Sequence, residues 1–197
     1  KRRSELKQIA ENCRNVPRKG AKSFYEACQT FWFLQQLIQL ESSGHSISPG
    51  RFDQYMYPYY KKDIDAGVIT RDQAQEYLDC VWVKFNDLNK CRDEASAKGF
   101  AGYSLFQNLT VGGMTVDGKD STNDLTLMCI WAEDNVHLPA PSLSLRVWNL
   151  TPNEVMREAA ALTRTGMGMP AYYNDEVIIP SMMAKGISEE DARDYDI

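Results

Sequence analysis

From Ala21 to Leu40 apolar side chains recur at Phe24, Ala27, Cys28, Phe31, Leu34, Leu37 and Ile38, the three- and four-residue steps of one helical face. A second helix is predicted after Thr70-Arg71-Asp72-Gln73, a capping-box pattern with Gln at the third position after Thr. It carries Ala74, Tyr77, Leu78, Val81, Trp82 and Phe85 on its apolar side. Thr151-Pro152-Asn153-Glu154 predicts a third helix with Thr as its N-cap and Pro in its first turn, and Ser188-Glu189-Glu190-Asp191 opens a fourth shortly after Gly186. Between them lie strand-like runs. Leu143-Ser144-Leu145-Arg146-Val147-Trp148 alternates apolar and polar, and Asn108-Leu109-Thr110-Val111 ends in the pair Gly112-Gly113. Val177-Ile178-Ile179 suits a strand, or the start of a helix at Pro180, while Leu138 to Ser142 and Met169 to Asp175 read as turns at strand ends. Helices alternating with isolated strands predict an α/β architecture whose sheet is buried by helices. No repeat or linker divides residues 1–197, which read as a single region.

Composition narrows the class. Of the 197 residues 43% are hydrophobic and 25% charged, the net charge is -5, and no Lys/Arg stripe is present, so no nucleic acid partner is expected. The longest apolar run, Phe31 to Leu40, is broken by Gln35, Gln36 and Gln39 and falls short of the roughly 20 residues a membrane span needs. Cys13, Cys28, Cys80, Cys91 and Cys129 are odd in number, widely spaced and without a CxxC. That argues against a disulfide framework or a zinc site and for a reducing cytoplasm. Cys28, Cys80 and Cys129 are expected as small buried apolar residues. The chain opens on Lys1-Arg2-Arg3 without Met and closes on Asp194-Tyr195-Asp196-Ile197, so an internal piece of a longer chain is expected.

Chemistry concentrates in two segments. Glu41 to Tyr55 is the densest polar stretch and follows directly on an apolar helix. There His45 beside Ser46 can hold two neighbouring hydroxyls of a small polyol, and Arg51 and Asp53 are expected to pair. A loop whose polar groups satisfy their own backbone is the alternative. Phe100 to Asn108 interleaves aromatic and small residues; it can wall a pocket whose aromatic faces suit an onium cation, or supply two core phenylalanines. His137 reads as a structural histidine, and Met167 and Met169 as packing. No phosphate loop, GxSxG elbow or HExxH is present.

Four segments in order resemble the glycyl radical enzymes of the pyruvate formate-lyase superfamily. They are Gly44-His45-Ser46-Ile47-Ser48-Pro49-Gly50-Arg51-Phe52-Asp53-Gln54-Tyr55 and onward to Tyr60, Phe106-Gln107-Asn108 with Val111-Gly112-Gly113, Leu138 to Arg146, and Tyr172 to Glu176 with Ile179-Pro180. The resemblance implies part of a ten-stranded barrel, in two antiparallel halves ringed by helices, ending just before a cysteine loop that follows Ile197. The thiyl cysteine and the glycyl radical would lie outside this chain, so no catalytic residue is expected within it. The resemblance implies no bound cofactor and a radical SAM activating enzyme that would install the radical. His45, Ser46, Phe100 and Phe106 are the expected substrate-binding residues, converging on one cavity. The first reading is C–N cleavage of choline to trimethylamine and acetaldehyde, with Phe100 and Phe106 against the trimethylammonium group. The second is a B12-independent glycerol or propane-1,2-diol dehydratase, with His45 and Ser46 on the hydroxyls; other branches, such as hydroxyproline dehydratase, stay open. A non-catalytic structural module is the third. The resemblance also implies a small-molecule substrate, a homodimer in the full-length protein, and a cytoplasmic location or a bacterial microcompartment. Alone, the chain is expected to expose strand edges and apolar faces.

Overall fold

The computed structural model describes residues 2–41, 47–88, 93–100 and 107–197. Its elements run α1 (Arg2–Asn15), α2 (Phe24–Glu41), β1 (Gly50–Arg51), α3 (Phe52–Asp65), α4 (Arg71–Asp87), α5 (Glu94–Phe100), β2 (Asn108–Gly112), α6 (Asp124–Val136), β3 (Ser142–Val147), α7 (Asn153–Thr163), β4 (Ala171–Asn174), α8 (Asp175–Met183) and α9 (Glu189–Arg193). The four strands form one sheet in the order β1-β2-β3-β4, each parallel to the next. Parallel neighbours need crossover connections, which the helices between the strands supply. The expected α/β class holds, and the barrel of the resemblance is represented by these four parallel strands.

Register divides the sheet into two unlike faces. Leu109 aligns with Leu143, and Val111 with Leu145; all four are buried in the main core, with α2, α3, α4, α6 and α7 packed against them. Alternation sends the intervening residues the other way. There Thr110 aligns with Arg51 and Ser144, and Gly112 with Arg146. Thr110, Ser144 and Arg146 are buried as well, so this second face is both polar and covered.

The helices follow local rules, some of them invisible to periodicity. At the start of α4 the Thr70 hydroxyl accepts from the Gln73 amide and the Gln73 side chain from the Thr70 amide, as the sequence predicts. Within α4 the buried Trp82 meets Phe52 and Phe85 edge to face. The sequence reading did not single out α6, because its buried residues, from Leu125 and Thr126 through Met128 to Ala132 and Glu133, encircle the helix and leave no stripe. Its ends are still well marked: Asn123 and Thr126 form a capping box, and His137 closes the helix in the left-handed conformation with φ 54°. His137 is thus structural through its backbone, its side chain being exposed.

Of the two readings of Val177 to Pro180 the helix holds: the segment belongs to α8, because the Asn174 side chain caps the Glu176 amide and Asp175 and Glu176 suit the positive end of a helix. Other expectations are corrected. Ala171 to Asn174, read as a turn, is strand β4. Thr151 does not cap α7. Pro152 stands at that position, and the Thr151 hydroxyl accepts from the Trp148 amide at 2.9 Å. Cys28 and Cys129 are buried as expected, Cys80 is exposed on α4, and Cys91 lies outside the described residues. No described helix is long and apolar enough to cross a membrane. Leu34, Leu37, Ile38 and Leu40 of α2 stand exposed, as does Val177 of α8.

One core group couples this packing to pH. Glu133 is fully buried, and its Oε2 accepts from Trp82 Nε1 at 2.7 Å, while Oε1 is buried and has no partner among the described residues. Burial pushes its pKa up from 4.5 to about 7, opposed by the Trp82 hydrogen bond. The folded state therefore holds this proton more tightly than the unfolded chain. Its contribution is fully present below pH 4.5 and is lost as the pH rises through about 7, a change of about 3 kcal/mol. Glu133→Gln keeps an acceptor for Trp82 and removes the titration. Denaturant unfolding between pH 4.5 and 8 is expected to show a shallower fall in stability for the variant; equal slopes would exclude Glu133 as the source.

Candidate functional site: the two rims of a polar sheet face

Three glutamines organise the rim where β1 and β2 begin. Gln35 of α2 donates from Nε2 to the Ile47 carbonyl at 2.8 Å and to Gln107 Oε1 at 3.2 Å. The Ile47 amide donates to Gln39 Oε1 at 3.2 Å, and Gln107 Nε2 reaches the Phe85 carbonyl at 3.4 Å. Gln35, Gln39 and Gln107 are all buried, and each holds main chain of a neighbouring segment through the bonds just given. One side chain thereby ties residue 47 to residue 107, which are distant in sequence. His45, Ser46 and Phe106 lie outside the described residues, and Phe100 ends α5 with its side chain likewise outside the description. What is fixed is the adjoining backbone: Ile47 follows Ser46 directly, and Gln107 follows Phe106. Sequence reading missed this bridge, although its signal was present in the glutamines that interrupt the apolar run of α2.

A cavity of about 490 Å³ opens beside Gln35, lined by Phe31, Leu34, Ile38, Ile47, Pro49 and Tyr55. Its size suits a ligand. Two of its polar side chains are already engaged, Gln35 as above and Tyr55 through its hydroxyl to the Pro49 carbonyl at 2.9 Å, while Lys19, Thr30 and Ser48 also line it.

The opposite rim, past the strand C-termini, is ionic. Arg146 Nε and Nη2 donate to the two carboxylate oxygens of Asp175 at 2.9 and 3.0 Å, with both side chains at 0% exposure. The Tyr195 hydroxyl also donates to Asp175, at 2.7 Å, as does the Met114 amide at 2.8 Å. The Tyr195 ring lies 3.9 Å from the guanidinium carbon, a cation–π contact. Burial and the donated hydrogen bond to Asp175 raise the Tyr195 pKa, so its hydroxyl stays protonated and donating. Breaking such a buried pair by removing one partner costs about 3–5 kcal/mol, because the other charge is left uncompensated.

Arg51 and Asp53 do not pair with each other. Arg51 reaches Asp194 at 3.0 Å and the Met114 carbonyl at 2.8 Å. Asp53, fully buried at the start of α3, accepts from the Thr126 hydroxyl at 2.5 Å, the Gly112 amide at 2.9 Å and Gln54 Nε2 at 2.9 Å. Burial raises its pKa against these three donors. The expected local pair is replaced by two longer-range anchors because α3 begins at Phe52 and turns the two side chains apart. Among the described residues no group of three His, Cys, Asp or Glu side chains is arranged to hold a metal ion.

The glycine pair at the end of β2 is explained by this rim. Gly113 has φ +84°, and a Cβ there would lie 2.6 Å from Arg146 Nε and 2.8 Å from Asp175 Oδ2. Gly113→Ala is expected to cost about 2–4 kcal/mol, combining left-handed strain with overpacking against a buried ion pair. Denaturant unfolding measures it, and a loss below about 1 kcal/mol would show that the pair can shift aside.

Comparison with known proteins agrees with this architecture. The pyruvate formate lyase-like family matches residues 1–197. The structure described as 1,2-propanediol dehydration in Roseburia inulinivorans superposes with a TM-score of 0.95 at 65% identity, over 100% of this chain and 25% of that one. The glycerol-bound B12-independent glycerol dehydratase from Clostridium butyricum gives 0.92 at 58% identity, over 100% and 25%. The isethionate sulfite-lyase of Desulfovibrio desulfuricans is 39% identical over 98% of this chain and 24% of its own length. The chain thus spans about a quarter of the relatives it matches. It belongs to the pyruvate formate lyase-like family of glycyl radical enzymes.

Proposed function

We propose that this chain forms part of a glycyl radical lyase that dehydrates a small vicinal diol. The observation that carries the reading is the Gln35 bridge, which holds the backbone next to Ser46 and next to Phe106 on one rim of the sheet. It supports convergence of the segments that carry Ser46 and Phe106 on one pocket, where the reading also places His45 and Phe100. The identities of 65% and 58% to structures named for 1,2-propanediol and glycerol favour a diol over choline.

On this reading the radical, held outside this chain, would take a hydrogen atom from the carbon bearing one hydroxyl, the neighbouring hydroxyl would leave as water, and the hydrogen atom would return to give the aldehyde. The cysteines among the described residues are poorly placed for that step. Cys28 and Cys129 are buried among apolar side chains with raised pKa values, and Cys13 and Cys80 lie exposed on α1 and α4. This chain's own part is binding. His45 and Ser46 take the two hydroxyls, and Phe100 and Phe106 exclude water from the carbon skeleton. A hydroxyl buried without a partner costs about 1–3 kcal/mol, so a site that satisfies both oxygens selects diols over singly hydroxylated analogues. The full-length protein would act as a cytoplasmic homodimer, or in a microcompartment, after activation by a radical SAM enzyme.

Anaerobic assay of the activated full-length enzyme with propane-1,2-diol, glycerol and choline provides the test. Aldehyde from a diol is expected, with kcat/KM about 5- to 100-fold lower in His45→Ala. Trimethylamine from choline, with no aldehyde from either diol, would replace this reading with C–N cleavage.

A further inference from the structure

Four consecutive residues, Arg193 to Asp196, are each tied to a distant part of the fold. Arg193 donates from Nη1 to the Val116 carbonyl at 3.2 Å, and its own carbonyl accepts from Arg146 Nη2 at 2.8 Å. The Asp194 carboxylate accepts from Arg51 at 3.0 Å. Tyr195 gives its carbonyl to Arg146 Nη1 at 2.9 Å and its hydroxyl to Asp175. The Asp196 carboxylate accepts from the Thr110 hydroxyl at 2.5 Å. The anchors come from β1, β2, β3, α8 and the turn after β2, so the segment closes α9 at Asp194 and then crosses the polar face of the sheet.

We infer that Thr110 is a positioning residue, the last contact of a clamp that sets the path of the chain across the polar sheet face. Thr110 is fully buried on β2, the strand that begins at Asn108 beside Gln107, whereas Asp196 is exposed. The strand whose start is held at the substrate rim thus also holds the segment leaving Asp196. A neutral hydroxyl donating to a carboxylate is a charge-assisted bond. It fixes direction without burying a second charge, as Arg146 and Asp175 must. The clamp is drawn from this chain's contacts alone; its effect on turnover rests on the lyase reading above.

The test uses the full-length protein with Thr110→Val, Thr110→Ser and Asp196→Ala. Val keeps the branched shape that a strand favours and removes the donor, Ser keeps the donor, and Asp196→Ala removes the acceptor from the exposed side. Hydrogen exchange over residues 193–197 is expected to quicken about tenfold in Thr110→Val and Asp196→Ala, and to stay near wild type in Thr110→Ser. After anaerobic activation, kcat should fall about tenfold in the first two, with KM and the glycyl radical signal unchanged, and recover in Thr110→Ser. Unchanged exchange in both Thr110→Val and Asp196→Ala, or equal losses in Thr110→Val and Thr110→Ser, would overturn the clamp. An absent radical signal in the wild-type protein would defeat the lyase reading, while the exchange result would still decide the clamp.

Discussion

Arg146 and Asp175 form an ion pair from which water is wholly excluded, and much of this fold is arranged to make that tolerable. Taking both charges out of water costs several kcal/mol each, and their attraction offsets it only if the remaining donors and acceptors are also met. Here they are. Nη1 and Nη2 also reach the carbonyls of Tyr195 and Arg193, while Asp175 also accepts from Tyr195 and from the Met114 amide. Each partner constrains another element. The Met114 amide follows a turn that only glycine can make at 113, and the C-terminal segment must pass close enough for two of its carbonyls to accept. The pair is therefore a fixed point for β2, β3, α8 and residues 193–195 together.

That fixed point explains the unlike faces of the sheet. A parallel sheet covered by helices on both sides usually carries apolar residues on both. Here Leu109, Val111, Leu143 and Leu145 follow that rule on one face, while Thr110, Ser144 and Arg146 break it on the other. Polar groups there can be buried because the segment from Arg193 to Asp196 satisfies several of them. At the opposite rim, buried glutamine amides hold backbone where a carboxylate or guanidinium would bring charge.

How much of this was legible in the sequence depended on the range of the interaction. The capping box at Thr70 and the apolar stripes of α2 and α4 are local, and the predicted helices form there. Strand β3 was visible from its alternation, whereas β1, only Gly50 and Arg51, carried no signal of its own and exists through pairing with β2. The pairing expected between Arg51 and Asp53 failed because neighbours in sequence were assumed to be neighbours in space. Their partners, Asp194 and Thr126, lie far along the chain. Arg146 was read as the polar half of an alternating strand, and nothing local could show that its partner would be Asp175. The nominated binding residues His45, Ser46, Phe100 and Phe106 came from resemblance. Only the glutamines beside them gave a physical reason for bringing their segments together.

The dependence of the fold on one pair is measured most directly by a double-mutant cycle of Arg146→Met and Asp175→Leu, read by denaturant unfolding. Each single variant leaves a buried charge without its counterion, whereas the double variant leaves none. The expected coupling is about 2–3 kcal/mol, with the double variant much less destabilised than the sum of the singles. Losses that add to within about 0.5 kcal/mol would contradict the account, because the two charges would then act independently of each other.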